Sequence, residues 1–303
     1  MKTLPVQKKS QEVAVLEKEE ENQLPDCMRA DAGQTFGMEA IETTDCAIPR
    51  LKIMQGLSPE KEQFSFLKSG DFFHTANEIV LEQPILATVI LVDKRYILWR
   101  PRDMGGGILA RANDARHWIP ANQTFHVKLD KKDGGANVTW TTTSTVISSG
   151  LAEWGSMNPE DPQSAPAATL MYNLLLAFPA QPELSPAILT LQRTGVKAAQ
   201  ALNMKFKTLA RPTFQSVIRF TSFLDHSGAN DFYSVKTELA GTLLTTKKWY
   251  ATDEHAWPLG TPELYANYKT LYTQLSQSGL HIKDEESLQG DLTENLSVET
   301  QGF

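Results

Sequence analysis

Alternation of apolar and polar residues runs through most of the chain and predicts a protein built mainly of β-strands. The longest such region spans 78–102, where a β-branched run at 85–92 continues past three charged residues into 96–100. The same alternation, bounded by turn residues, predicts shorter strands at 48–54, 72–73, 125–129, 138–147, 187–192, 215–223 and 232–239. Residues 170–178 are uniformly apolar and fit a strand or a helix, with length favouring a strand.

Other segments have the spacing of an amphipathic helix. One helix is predicted over 194–210, where either Met204 or Phe206 completes the apolar face. A second is predicted over 261–276, which begins with a proline in its first turn. A third, short helix is predicted near 113–118, because the proline that follows would end it quickly.

The order of these elements predicts an α+β fold that is predominantly antiparallel β. Its most specific form is an OB-like barrel with elaborations and two or three helices. Residues 48–283 would form this domain, between a disordered acidic arm at 1–47 and an acidic disordered tail at 284–303. The loop at 155–168, rich in Pro, Ser, Asn and Asp, is either an internal break or a long exposed loop.

The net charge of −7 is unevenly distributed along the chain. Residues 1–48 contain 5 Lys and Arg against 10 Asp and Glu, and residues 284–303 contain 6 acidic residues and no basic one. The body at 49–283 therefore has 24 basic and 20 acidic residues. A mildly basic body between acidic ends is compatible with binding a polyanion.

Several classes of function lack the sequence features that they require. No segment is apolar and long enough for a secretory signal or a membrane span, and Cys27 and Cys46 make neither a disulfide framework nor a zinc site. A reducing cytoplasm is therefore expected. Phosphate-loop, zinc-protease and serine-hydrolase motifs do not occur. Gly105, Gly107 and Ala110 match a dinucleotide fingerprint only formally, without a βαβ unit, so neither an enzyme nor a cofactor is predicted.

The stretch at 94–118 combines aromatic and basic side chains and is the strongest candidate for a binding site. Aromatic rings can stack on exposed bases and cations can hold phosphates, as single-stranded nucleic acid requires. The predicted stacking residues are Tyr96, Trp99 and Trp118, and the predicted phosphate contacts are Lys94, Arg95, Arg100, Arg102, Arg111 and Arg116. On a strand, Tyr96 and Trp99 point to opposite faces, so one of the two is expected in the core.

Two further basic sets and the C-terminus are weaker candidates. Lys197 and Lys205 flank the helix predicted over 194–210, and the third set combines two lysines with a tryptophan, Lys247, Lys248 and Trp249. Each set also fits an ordinary solvated surface. The acidic tail ends on Phe303, which could dock in a pocket of a partner protein.

Several motifs resemble those of early proteins of tailed bacteriophages. They are the I-P-x-L-K-x-x-Q-x-x-S-P-E segment at 48–60, the turn at 70–71, the basic strand at 94–102, the L-x-R-T-G-x-K-A-A segment at 191–199 and the hairpin at 220–232. The pattern is similar to that of phage single-stranded DNA-binding proteins. This resemblance implies an OB-type core and an acidic C-terminal tail ending in Phe, although the tail here is less densely acidic.

The residues and the resemblance together predict a single-stranded DNA-binding protein of phage replication or recombination, without catalysis or cofactor. Expected partners are single-stranded DNA and, through the tail, replication or recombination proteins in the host cytoplasm. No membrane is involved, and an oligomer is compatible with the sequence. The alternative is a non-enzymatic phage structural or protein-interaction protein.

Overall fold

The computed structural model describes residues 48–227, 230–244 and 260–278. Several predicted features lie outside these residues: the arm at 1–47, the tail at 284–303 with Phe303, and the set Lys247, Lys248 and Trp249. Within the described ranges, none of the helices has the length and apolar character needed to cross a membrane.

The described residues form eleven β-strands and four α-helices. The strands are β1 (Leu51–Ile53), β2 (Phe72–His74), β3 (Ile79–Leu81), β4 (Ile85–Trp99), β5 (Ile108–Ala112), β6 (Thr124–Lys128), β7 (Asn137–Thr141), β8 (Ala168–Ala177), β9 (Ala187–Gln192), β10 (Ser216–Ser227) and β11 (Asn230–Thr242). The helices are α1 (Glu60–Gln63), α2 (Val146–Ser149), α3 (Val196–Leu209) and α4 (Pro262–Ser278). The α+β class is confirmed, and the ambiguous apolar segment is strand β8.

These strands pair antiparallel throughout, as predicted. The main sheet has the order β11-β10-β4-β8-β9, and β5 pairs with the last residues of β4. β1, β2 and β3 form a small sheet, while β6 and β7 form a separate hairpin. Within the part of the chain that is described, no pairing joins β11 to β9. The main sheet is therefore open, and the OB-like barrel is not confirmed.

Helices cover both faces of the main sheet, and this is a physical reason for its open form. On one face, Leu202 and Phe206 of α3 belong to the same buried cluster as Val89 of β4. On the other face, Tyr268 of α4 belongs to a second cluster with Ile90. Closure into a small barrel would enclose one face and exclude its helix.

The burial that encloses Tyr268 also raises the pKa of its hydroxyl to about 12, against a smaller opposing effect of the Ser185 hydroxyl.

The end of β7 differs from the sequence-based prediction, and the structure decides which residue completes the apolar face of α3. β7 ends at Thr141, and the expected continuation of that strand is replaced by α2. A capping box between Thr145 and Ser148 starts this single helical turn, because each side chain satisfies a backbone N–H of the other. In α3 the apolar face is completed by Phe206, which is buried, while Met204 is 65% exposed.

Two glutamine side chains attach the β10–β11 hairpin to the small sheet. Gln55 Nε2 donates to the Tyr233 carbonyl at 2.9 Å, and Gln55 Oε1 accepts from the Tyr233 N–H at 2.8 Å. Gln83 Oε1 accepts from the Ser222 N–H at 2.8 Å, and Gln83 Nε2 donates to the Ser222 hydroxyl at 3.0 Å. The Gly70 carbonyl accepts from both Gln83 and Ser222. The hairpin is thus held by half-buried side-chain amides that bond its backbone much as a neighbouring strand would.

Candidate nucleic-acid interface

The stretch at 94–118 forms the end of β4, a glycine turn, β5 and the loop after it. These elements pack with β6, β7 and α2 around a third buried cluster, which includes Leu98 and Trp140. We call residues 94–167 the hairpin lobe. The loop at 155–168 contributes side chains to the same cluster, so it is part of the packing of this lobe.

Trp118 is not a stacking residue, and this corrects the sequence-based prediction. Its side chain is 2% exposed and lies in the cluster of the hairpin lobe. Its indole N–H donates to Ser149 Oγ at 3.0 Å, which satisfies its polar atom inside the fold. Because the ring is enclosed by protein, no base can stack on it while the lobe is folded.

Arg95 is also unavailable for a phosphate, for a different reason. It is 2% exposed, and its guanidinium binds Asp93 Oδ2 through Nη2 at 2.6 Å and Nε at 2.8 Å. Asp93 also accepts from Asn173 Nδ2 at 3.0 Å, and Thr190 donates to Asn173 at 2.8 Å. This polar chain crosses β4, β8 and β9, so the charge of Arg95 is used within the sheet.

Tyr96 and Trp99 are both half-buried, so neither is enclosed in the way that Trp118 is. In the β4–β5 register Tyr96 lies opposite Ala112, and a bulge separates Leu98 from Trp99. Tyr96 packs partly against the cluster of the hairpin lobe. The Lys94 ammonium lies 5.3 Å from the centroid of its ring, which is a cation–π geometry.

The remaining predicted arginines of this stretch are exposed: Arg100, Arg102, Arg111 and Arg116. Arg100 donates its N–H to the Gly107 carbonyl at 2.9 Å, which closes the β4–β5 hairpin. The three glycines of the turn have φ between 69° and 95°, a conformation that other residues adopt only with strain. Glycine therefore allows the tight turn that joins β4 to β5 next to Arg100 and Arg102.

Asp114 organises the loop that carries Arg116, and this explains why the helix predicted near 113–118 is absent. Its Oδ1 accepts the N–H groups of Arg116 and His117, both at 2.8 Å, and its Oδ2 lies 2.5 Å from His117 Nδ1. Side-chain bonding to the next residues favours a turn over a helix. Burial opposes ionisation of Asp114, but these hydrogen bonds dominate and lower its pKa to about 2.

A cleft of about 380 Å³ lies between the tip of the β4–β5 hairpin and strand β6. We call it the large cleft. Its lining consists of one arginine, one histidine and apolar or hydroxyl side chains, with no carboxylate: Arg100, Met104, Leu109, Thr124, Phe125, His126 and Val127. Exposed Lys128 is adjacent, and its N–H donates to the Met104 sulfur at 3.1 Å.

A second cleft of about 190 Å³, the small cleft, lies at the other end of the lobe. Lys94 and Tyr96 reach it from β4, and the remainder of its lining comes from later segments: Ala115, Val146, Ile147, Ala152 and Glu153. Strand β6 and residues 146–153 contribute to the two clefts, although no residue of either segment was predicted as a site residue. Alternation along β6 could have indicated that His126 and Lys128 point outward together.

The second basic set separates into one exposed and one structural lysine. Lys197 is exposed on α3, outside the hairpin lobe. Lys205 Nζ donates to the Thr237 carbonyl at 2.5 Å, so it links α3 to the edge strand β11. No group of three or more metal-ligating side chains occurs among the described residues.

Comparison with known proteins places the chain in one family. A family model described as Pam3 phage gp34-like protein matches residues 18–278. No curated protein and no solved structure matches the chain. The match confirms the predicted phage origin. Since it covers most of the sequence, the chain belongs to the Pam3 phage gp34-like protein family.

Proposed function

We propose that this phage protein binds single-stranded DNA on its hairpin lobe and acts in replication or recombination of phage DNA. The observation that carries the proposal is the large cleft, where Arg100 and His126 flank apolar and aromatic side chains without a carboxylate. A cleft of this composition suits a strand that has a phosphate on one side and a base on the other.

Each part of the cleft has a role in this proposal. Arg100, Arg102 and Lys128 contact phosphates, because all three are exposed at the mouth of the cleft or beside it. Phe125 and Met104 offer apolar surface to a base, and such stacking is worth about 1–3 kcal/mol per base. The two hairpins already form the groove, so the proposal does not depend on the OB-like barrel. No catalytic step is required, and the host cytoplasm, where phage DNA is copied, is the expected location.

A second candidate is the structural or protein-interaction role. The observation in its favour is the far half of the β10–β11 hairpin, where Phe223 and Leu224 are 42% and 46% exposed. Exposed apolar residues on a hairpin are suited to contact another protein. This role predicts no affinity for oligonucleotides at any salt concentration. Docking of partner proteins through Phe303 stays a prediction that is compatible with either role.

A salt titration tests the proposed function. Fluorescence anisotropy of a labelled oligo-dT should show binding at low salt that weakens steeply as salt is added. For single strands the logarithm of affinity falls by about 0.7 per phosphate contact for each tenfold rise in salt. Absence of binding at low salt, by protein shown to be folded, would exclude the proposal and leave the interaction role.

A further inference from the structure

The small cleft has a different chemistry from the large one, because it contains one cation and one carboxylate. Lys94 and Glu153 both line it, yet they form no ion pair with each other or with any other described residue. Tyr96 supplies an aromatic face, over which the Lys94 ammonium lies. An unpaired carboxylate disfavours a phosphate, so the cleft suits a ligand that presents hydrogen-bond donors to Glu153 and an acceptor to Lys94.

The fourth functional group of the cleft is an apolar side chain that is held away from the core. Ile147 is 87% exposed, although its neighbour Val146 is buried. The capping box between Thr145 and Ser148 fixes the single turn of α2 and therefore the direction of Ile147. An aliphatic side chain fixed in this way can cover one face of a flat ligand, while Lys94 and Tyr96 border its edge.

We propose that the small cleft holds a guanine base of the bound strand, an inference that rests on the proposed single-stranded DNA binding. The Watson–Crick edge of guanine has two adjacent donors, N1–H and N2–H, which can bond the two oxygens of Glu153. Its O6 can accept from Lys94, a pairing that lysine makes with guanine in other contexts. In a single strand this edge is free to be read.

The other bases match these two side chains less well. Adenine and cytosine each offer one amino group to Glu153 and one ring nitrogen to Lys94, so they lack the paired donors. Thymine has one N–H between two carbonyl oxygens, and one of these oxygens would face the carboxylate. Guanine alone satisfies Glu153 through both oxygens and Lys94 at the same time.

The test uses three labelled oligonucleotides that differ only in the central base of a thymine tract: guanine, hypoxanthine or thymine. Hypoxanthine keeps N1–H and O6 but lacks the N2 amino group of guanine. The difference between these two strands therefore measures the contribution of the N2–H donor. Wild-type protein should bind the guanine strand about tenfold more tightly than the thymine strand, with hypoxanthine between them. Glu153→Ala should remove this preference while it retains or improves binding of the thymine strand, because a negative charge near the phosphates is lost.

Glu160→Ala is the matched control, since Glu160 is an exposed carboxylate in the same lobe that does not line the cleft. It should keep the guanine preference. Equal affinity of the wild type for all three strands, or loss of the preference in both variants, would overturn this inference and leave the proposed function intact. Failure to bind any of the strands would overturn the proposed function and this inference together.

Discussion

Trp118→Ala is expected to lower the free energy of unfolding by about 3–5 kcal/mol, the usual range for removing a buried tryptophan. The side chain is 2% exposed in the cluster of the hairpin lobe, so truncation leaves a cavity. It also leaves Ser149 Oγ without its indole donor. Urea denaturation followed by circular dichroism measures the change. The midpoint urea concentration should fall, while the dependence of the unfolding free energy on urea concentration stays the same.

Trp154→Ala is the matched control for this prediction. Trp154 lies in the same lobe but is 74% exposed, so its replacement should change stability by about 0.5 kcal/mol or less. If Trp118→Ala left stability unchanged and instead abolished oligonucleotide binding, Trp118 would be a ligand surface and the packing described above would be wrong.

Gly70→Ala is expected to lower the free energy of unfolding by about 2–5 kcal/mol, from backbone strain and overpacking combined. Gly70 has φ +92°, which an alanine adopts only with strain. A Cβ at this position would lie 2.5 Å from Cε1 of Tyr233. Gln55 binds both the N–H and the carbonyl of Tyr233, so relief of the clash requires the ring to rotate away or these hydrogen bonds to break. The attachment of the β10–β11 hairpin should therefore loosen.

Two other glycines separate the causes of this loss. Gly105 has φ +95° and open space around its Cα, so Gly105→Ala should show the conformational strain alone, about 1 kcal/mol. Gly56 has open space and an ordinary φ, so Gly56→Ala should be close to neutral. Equal effects at Gly70 and Gly105 would show that contact with the Tyr233 ring contributes nothing.

The strands could be predicted because their signals are local. Alternation and β-branched residues indicated the region that became β4, and short turn sequences indicated the hairpins. The openness of the main sheet could not be predicted, since it depends on which strands meet across long stretches of chain. Likewise, the loop at 113–118 had helical composition, but the bonds from Asp114 to the next N–H groups decided its conformation.

The candidate site could be predicted only where its residues are neighbours in sequence. Lys94 and Tyr96 were identified because they lie two residues apart on the same strand. Phe125 and Glu153 were missed because they come from other segments and meet the first strand only after folding. Arg95 was assigned to a phosphate, although Asp93 two residues earlier shares its face of the strand and indicated an internal ion pair.

The measurement that tests the central claim most directly compares two variants with the same loss of charge. Arg100→Ala/Lys128→Ala removes two cations at the large cleft, and Lys207→Ala/Lys269→Ala removes two exposed cations from α3 and α4. Oligo-dT affinity should fall only in the first variant. Its slope of log affinity against log salt concentration should become shallower by about 0.7 for each lost phosphate contact. An equal loss in both variants, or a loss only in the second, would contradict binding at the hairpin lobe.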